Sequence, residues 1–242
     1  MVSHQRDEYG DMTSPFPAEL PADIDDHKSI AANDWAAFEK VDEMVNHWDR
    51  PGWRDGRRSY HWILSFAGNE ELAAMAEECF PACSAHTFDQ VPTDALHLTI
   101  RRVGFTDEID RSVIDSIADR VRALSSEMGD FSLTVGPLAA SRGAVRFSVA
   151  PWRSLFEIYD AVGSASTWVT GREIPSALDS FRPHVSIAYS GAPQKAEEIR
   201  RSIGKYRALP PVVCKVVKLR LVELRRESAS YRWREIAGVD LA

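Results

Sequence analysis

Residues 95–103 read ALHLTIRRV, and residues 182–190 read RPHVSIAYS. Each stretch holds the same four-residue phrase: histidine, apolar, hydroxyl, apolar, at 97–100 and again at 184–187. The alternation is that of a half-buried strand, in which successive side chains point to opposite faces. His97 and Thr99 therefore share one face, and His184 and Ser186 share another. Leu98 and Ile100, like Val185 and Ile187, point the other way, toward a core. By the same parity Arg101 falls with His97 and Thr99, and Arg182 with His184 and Ser186.

Working outward, each phrase is the middle strand of a repeated unit. Before the first lie SYHWILSF (59–66), aromatic and β-rich, and NEELAAMAEECF (69–80), helical in pattern. After it come an amphipathic helix over 107–128 and the strand FSLTVG (131–136). The second unit repeats that order: strand 144–150, helix 152–165, strand 182–190, helix 195–206, strand 216–224. A last strand over 231–238 closes an edge. Strand–helix–strand–helix–strand thus occurs twice, and repetition of this kind ranks above any single motif. The expected fold is α+β and bilobed, a pseudo-two-fold duplicated unit with antiparallel sheets lining a central cleft and helices outside.

If the two phrases face each other across that cleft, they bring together two imidazoles, two hydroxyls and guanidinium groups. This inventory suits a phosphodiester. Hydroxyls and arginines hold the non-bridging oxygens, one imidazole takes a proton, and the other gives one to the leaving oxygen. An unperturbed pKa near 6.5 lets histidine serve in both roles.

HLTI and HVSI resemble the paired His-x-Thr/Ser motifs of the two-histidine (2H) phosphoesterase superfamily. That group includes the 2′-5′ RNA ligase-like proteins and cyclic nucleotide phosphodiesterases. The resemblance spans about residues 58 to 238, with Ser186 standing where the second motif also carries threonine. It implies catalysis by His97 and His184, phosphate binding by Thr99 and Ser186, and metal-independent attack on a 2′,3′-cyclic phosphate or a 2′-5′ linkage. Which histidine is acid and which is base stays open. So do two other readings, a non-catalytic nucleotide or RNA-end binding module and an RNA 2′-5′ ligase.

Other residues are weaker candidates for the cleft. Arg146 and Ser148 alternate with Val145, Phe147 and Val149. Tyr60, Trp62 and Phe66 have the flat rings that stack on bases, with core packing as the competing reading. Tyr189 has the wrong parity for the cleft unless a bulge re-aims it. His61 lacks a hydroxyl two residues on and reads as non-catalytic. Cys79, Cys83 and His86 lack a fourth ligand and the spacing of a zinc finger, so they read as packing residues, and no metal or cofactor is expected.

The net charge is −7, from 36 acidic and 29 basic residues, which disfavours a protein that coats nucleic acid through a broad basic surface. A small nucleotide or RNA-end substrate held by a few local arginines remains compatible. No apolar run is long enough to span a membrane, and the first dozen residues lack the pattern of a signal peptide. Three cysteines do not make a disulfide framework. A cytoplasmic monomer is the expectation. Residues 1–28 read as a disordered acidic tail and 29–57 as a helix, capped by Asn33 or Asp34, with a basic linker. Residues 58–242 read as the two-lobed domain.

Overall fold

The structure, a computed structural model, describes residues 19–125 and 128–241. Most of the acidic tail expected over 1–28 lies outside the described residues. In chain order the elements are α1 (His27–Glu39), β1 (Glu43–Met44), β2 (Arg58–Ser65), α2 (Glu70–Cys79), β3 (Phe88–Gln90), β4 (His97–Phe105), α3 (Arg111–Leu124), β5 (Phe131–Ala140), β6 (Ala144–Ala150), α4 (Arg153–Thr170), α5 (Ala177–Ser180), β7 (His184–Ser190), β8 (Gln194–Lys195), α6 (Ala196–Gly204), β9 (Val212–Val216), β10 (Lys218–Glu227) and β11 (Ser230–Asp240).

Two antiparallel sheets carry the fold, in the orders β11–β10–β2–β4 and β9–β5–β6–β7–β3. They show how the duplicated units interlock. The first unit is β2–α2–β4–α3–β5 and the second is β6–α4–β7–α6–β10. Each sheet takes its first two strands from one unit and its third from the other, so β10 extends the β2–β4 pair and β5 extends the β6–β7 pair. The lobes therefore cannot separate without breaking a central ladder. β4 and β7, the two histidine strands, lie close to each other across the cleft.

Burial explains which faces pack. Leu64, Leu98 and Ile100 in one sheet, and Phe147, Val185 and Ile187 in the other, are all buried in the main core. α3 and α4 back the first sheet, while α2 and α6 lie against the second. Tyr60 and Trp62 belong to this core and not to the cleft, as does Phe66. Their rings are among the largest apolar surfaces available, and burying them removes more area from water than leaving them in an open groove.

The N-terminal helix differs from its sequence reading. Asp26 caps it, its carboxylate accepting from the Ser29 amide at 2.7 Å, and the helix ends at Glu39. Asp34, expected as a cap, sits fully buried in mid-helix. Val45 and Trp48 follow the helix instead of extending it. The chain there pairs Glu43 and Met44 with β8, and the Trp48 indole donates to Asp89 at 2.7 Å. Residues 20–26, expected in the tail, are placed by contacts: Pro21 is buried, and the Ile24 carbonyl accepts from the Trp152 amide. Cys79 and Cys83 are buried, and desolvation pushes both thiols up to about 12, as befits packing residues. Among the described residues, no helix is long and apolar enough to cross a membrane.

Candidate active site

His97 and His184 each open their strand, and each ring is pinned in the same way. Nδ1 of His97 donates to the Ala95 carbonyl at 2.9 Å, and Nδ1 of His184 to the Arg182 carbonyl at 2.8 Å. A carbonyl only accepts, so Nδ1 carries the hydrogen in both rings. That leaves Nε2 of each imidazole as the atom that takes or gives a proton.

The strands then share a second feature. In the β2–β4 ladder Ile63 faces Thr99 and Trp62 faces Arg101, so Ile100 is an extra, bulged residue. In the β6–β7 ladder Arg146 faces Ser186 and Val145 faces Ala188, so Ile187 is bulged at the equivalent place. A bulge resets the alternation of every residue beyond it. Tyr189, whose parity alone pointed away, is returned to the face of Ser186 and bonds that side chain. Arg101 is turned off the cleft. Its guanidinium stacks 3.6 Å over the Tyr159 ring of α4 and donates to the Pro175 carbonyl. Arg102 takes its place on the inner face, opposite His61, and donates to Ser59 Oγ at 3.2 Å.

Arg182 also departs from expectation. The strand begins only at His184, and the Arg182 guanidinium donates to the Leu178 and Phe181 carbonyls at the end of α5. Its backbone carbonyl fixes the His184 ring. Arg146 and Ser148 do lie on the face of His184 and Ser186, but both are buried beneath α1. Asp34 takes a hydrogen bond from Arg146 Nη2 at 2.8 Å and from Ser148 Oγ at 2.5 Å.

Several residues around the histidines have no signal in the two motifs. The Trp233 ring of β11 meets His97 edge-on, with centroids 5.1 Å apart. His47 stacks on Tyr189 at 4.0 Å and reaches the Tyr231 hydroxyl at 3.0 Å, joining one residue from each sheet. Arg50, exposed on the basic turn, donates to the His47 carbonyl and to its Nδ1. Trp48, Trp53 and Tyr231 surround the Arg226 guanidinium. The segment over 49–58 reads only as a basic linker, and its single aromatic, Trp53, gives no signal for this wall.

Burial keeps this cluster of imidazoles neutral. Desolvation, with the Arg146 cation behind it, brings His184 down to about 3. Desolvation lowers His97 too, against the bond to Ala95. His61 falls to about 3 through burial, with Arg102, His97 and Arg50 adding to the effect. His47 lies well below its usual value for the same reason, with Arg50 and Arg226 nearby. The site thus offers two neutral Nε2 atoms, two hydroxyls and a positive field. A bound phosphate anion would raise the imidazoles toward the range in which one can act as acid. Among the described residues, no group of three His, Cys, Asp or Glu side chains is placed to hold a metal ion.

The profile of the 2′-5′ RNA ligase superfamily matches residues 65–228, which contain both histidine motifs. The chain belongs to this superfamily. Its fold is shared by solved structures at low identity. TT0787 of Thermus thermophilus is 16% identical, with a TM-score of 0.58 over 76% of this chain and 97% of that one. Escherichia coli LigT, solved with 3′-AMP, is 15% identical, with a TM-score of 0.53 over 76% of this chain and 98% of LigT. A structure described only as a phosphoesterase is 14% identical, with a TM-score of 0.54 over 76% of this chain and 98% of its own. No curated protein matches the sequence. The superfamily match begins after α1 and the basic turn, so Asp34, His47 and Arg50 lie outside the matched residues.

Proposed function

We propose that the protein is a metal-independent phosphodiesterase that opens a 2′,3′-cyclic phosphate or a 2′-5′ phosphodiester of a nucleotide or RNA end. The observation that carries this reading is the matched pair His97 and His184, each with Nδ1 spent on a carbonyl two residues back. In the reaction a water oxygen attacks phosphorus and its proton passes to Nε2 of one imidazole. The bond from phosphorus to the leaving sugar oxygen breaks, and that oxygen takes a proton from Nε2 of the other imidazole, which is protonated in the complex with the bound anion. Thr99 and Ser186 donate to the non-bridging oxygens, whose charge grows in the transition state. Trp233, edge-on to His97, is suited to a nucleobase. E. coli LigT has been crystallised with 3′-AMP and with phosphate, which supports a small nucleotide as ligand.

The test is turnover of 2′,3′-cyclic nucleotides and 2′-5′ dinucleotides by the full chain. His97→Ala and His184→Ala should each lower kcat by at least about a hundredfold while the circular dichroism spectrum is kept. Near-wild-type turnover in either variant would overturn the two-histidine mechanism. Saturable binding without turnover in the wild type would indicate a binding module, and joining of RNA ends would indicate a ligase.

A further inference from the structure

We propose that Asp34, on a helix outside the superfamily match, is a positioning residue for the second half-site, holding His184 and Ser186 in place through Arg146 and Ser148. Its effect on activity rests on the function proposed above; its effect on His184 does not.

A fully buried carboxylate in mid-helix is costly unless both oxygens are satisfied. Here both are, and by residues of one strand: Oδ1 by Arg146 and Oδ2 by Ser148. Those two are the cross-strand partners of Ser186 and His184. Partners in a ladder share a face and stand side by side. One carboxylate therefore grips the pair of residues against which the second His-x-Ser motif is packed. At the corresponding positions of the first half-site stand Ile63, which faces Thr99, and Ser65, which faces His97; neither side chain carries a charge. The duplication is broken at this point, and α1 is what breaks it.

The consequence is electrostatic. The groups facing His184 are Arg146 from β6, Asp34 from α1, His97 from β4 and His47 from the segment before β2. The Arg146 cation opposes protonation of His184, and Asp34 offsets it. Asp34 also acts at longer range on the guanidinium groups of Arg182 and Arg207. Without its charge the cations beside His184 would be under-compensated.

The experiment follows the His184 ring by NMR between pH 2 and 8 in the full chain, as wild type, Asp34→Asn, Arg146→Met and the double variant. Arg146→Met leaves Asp34 facing the imidazole alone and should raise its midpoint by at least about one pH unit. Asp34→Asn should keep the ring neutral to the lowest pH, and the double variant should fall between the two. With a 2′,3′-cyclic nucleotide, Asp34→Asn should lower kcat at least about tenfold without raising KM. If Asp34→Asn alone fails to fold, the double variant, which buries no net charge, still reports on the ring. An unchanged His184 midpoint in Arg146→Met and in the double variant, with altered melting temperatures, would reduce the pair to a structural role and overturn the proposal. Absence of turnover in the wild type would count against the proposed function and leave the NMR result standing.

Discussion

At the scale of single residues, the face a side chain occupies decides its role. Thr99 and Ser186 stand on the same face as the paired imidazoles, two positions along each strand. Thr99→Val and Ser186→Ala remove a donor to phosphate and should each lower kcat/KM by roughly 10- to 100-fold, as expected for loss of a hydrogen bond to a charged group. Unchanged values in both would remove the hydroxyls from the site. Arg101 supplies the contrast. Its guanidinium stacks on Tyr159 and bonds Pro175 on the helix side. Arg101→Ala should therefore lower the melting temperature and leave kcat/KM within about twofold of wild type, since the stacking and hydrogen bond that it loses lie on the helix side. A large loss of kcat/KM with unchanged melting would return Arg101 to the cleft. The histidines and hydroxyls were legible in the sequence because their relation is local, two residues on one strand. The place of Arg101 was not, because the bulge at Ile100 is fixed by the partner strand. Asp34 was hidden for a related reason: its partner Arg146 lies 112 residues away.

Secondary structure follows the same division between local and distant causes. The strands and helices of both units were readable from their periodicity, and so was the duplication. The third-strand exchange was not, since nothing within β5 or β10 says which sheet each will join. β9 was missed because its five residues, VVCKV, become a strand only through pairing with β5. Helix α1 illustrates how a competing cap is chosen. Asn33, Asp34 and Asp26 are all good capping residues. Asp26 prevails because a start at His27 places Ile30, Asp34 and Phe38 on one buried stripe, where Asp34 meets Arg146. Asp26→Ala should cost about 1 kcal/mol by urea unfolding, the usual value of an N-cap. Deleting residues 1–40 removes the buried Ile30 and Phe38 and uncovers the β5–β6 surface beneath α1, which should cost at least about 3 kcal/mol through lost apolar burial. Equal stability of the two variants would show that α1 does not dock on this surface.

For the molecule as a whole, the arrangement gathers positive charge and neutral imidazoles between two interlocked sheets. In the proposed reaction the positive charge at the phosphate comes from arginine and a protonated histidine, so activity should survive treatment with EDTA that strips a control metalloenzyme. Activity lost in EDTA and restored by a divalent cation would refute this. The imidazoles also link folding to pH. His47, His61, His97 and His184 all titrate below their ordinary value in the folded chain, chiefly because of burial. In the unfolded chain each returns to about 6.5. Below that pH the unfolded state binds protons that the folded state refuses. Stability is therefore full above about pH 6.5 and falls as the pH drops toward the folded-state values, by about 1.4 kcal/mol per pH unit for each histidine. His61 isolates the effect. Both of its ring nitrogens are buried, with no hydrogen-bond partner among the described residues, so His61→Leu removes a titrating group without breaking a bond. Urea unfolding between pH 5 and 6.5 should show a slope of stability against pH shallower than wild type by about one proton, with the curves converging above about pH 7. Parallel curves over that range would mean that His61 takes up its proton in the folded protein, and that the cleft admits charge where its packing says it does not.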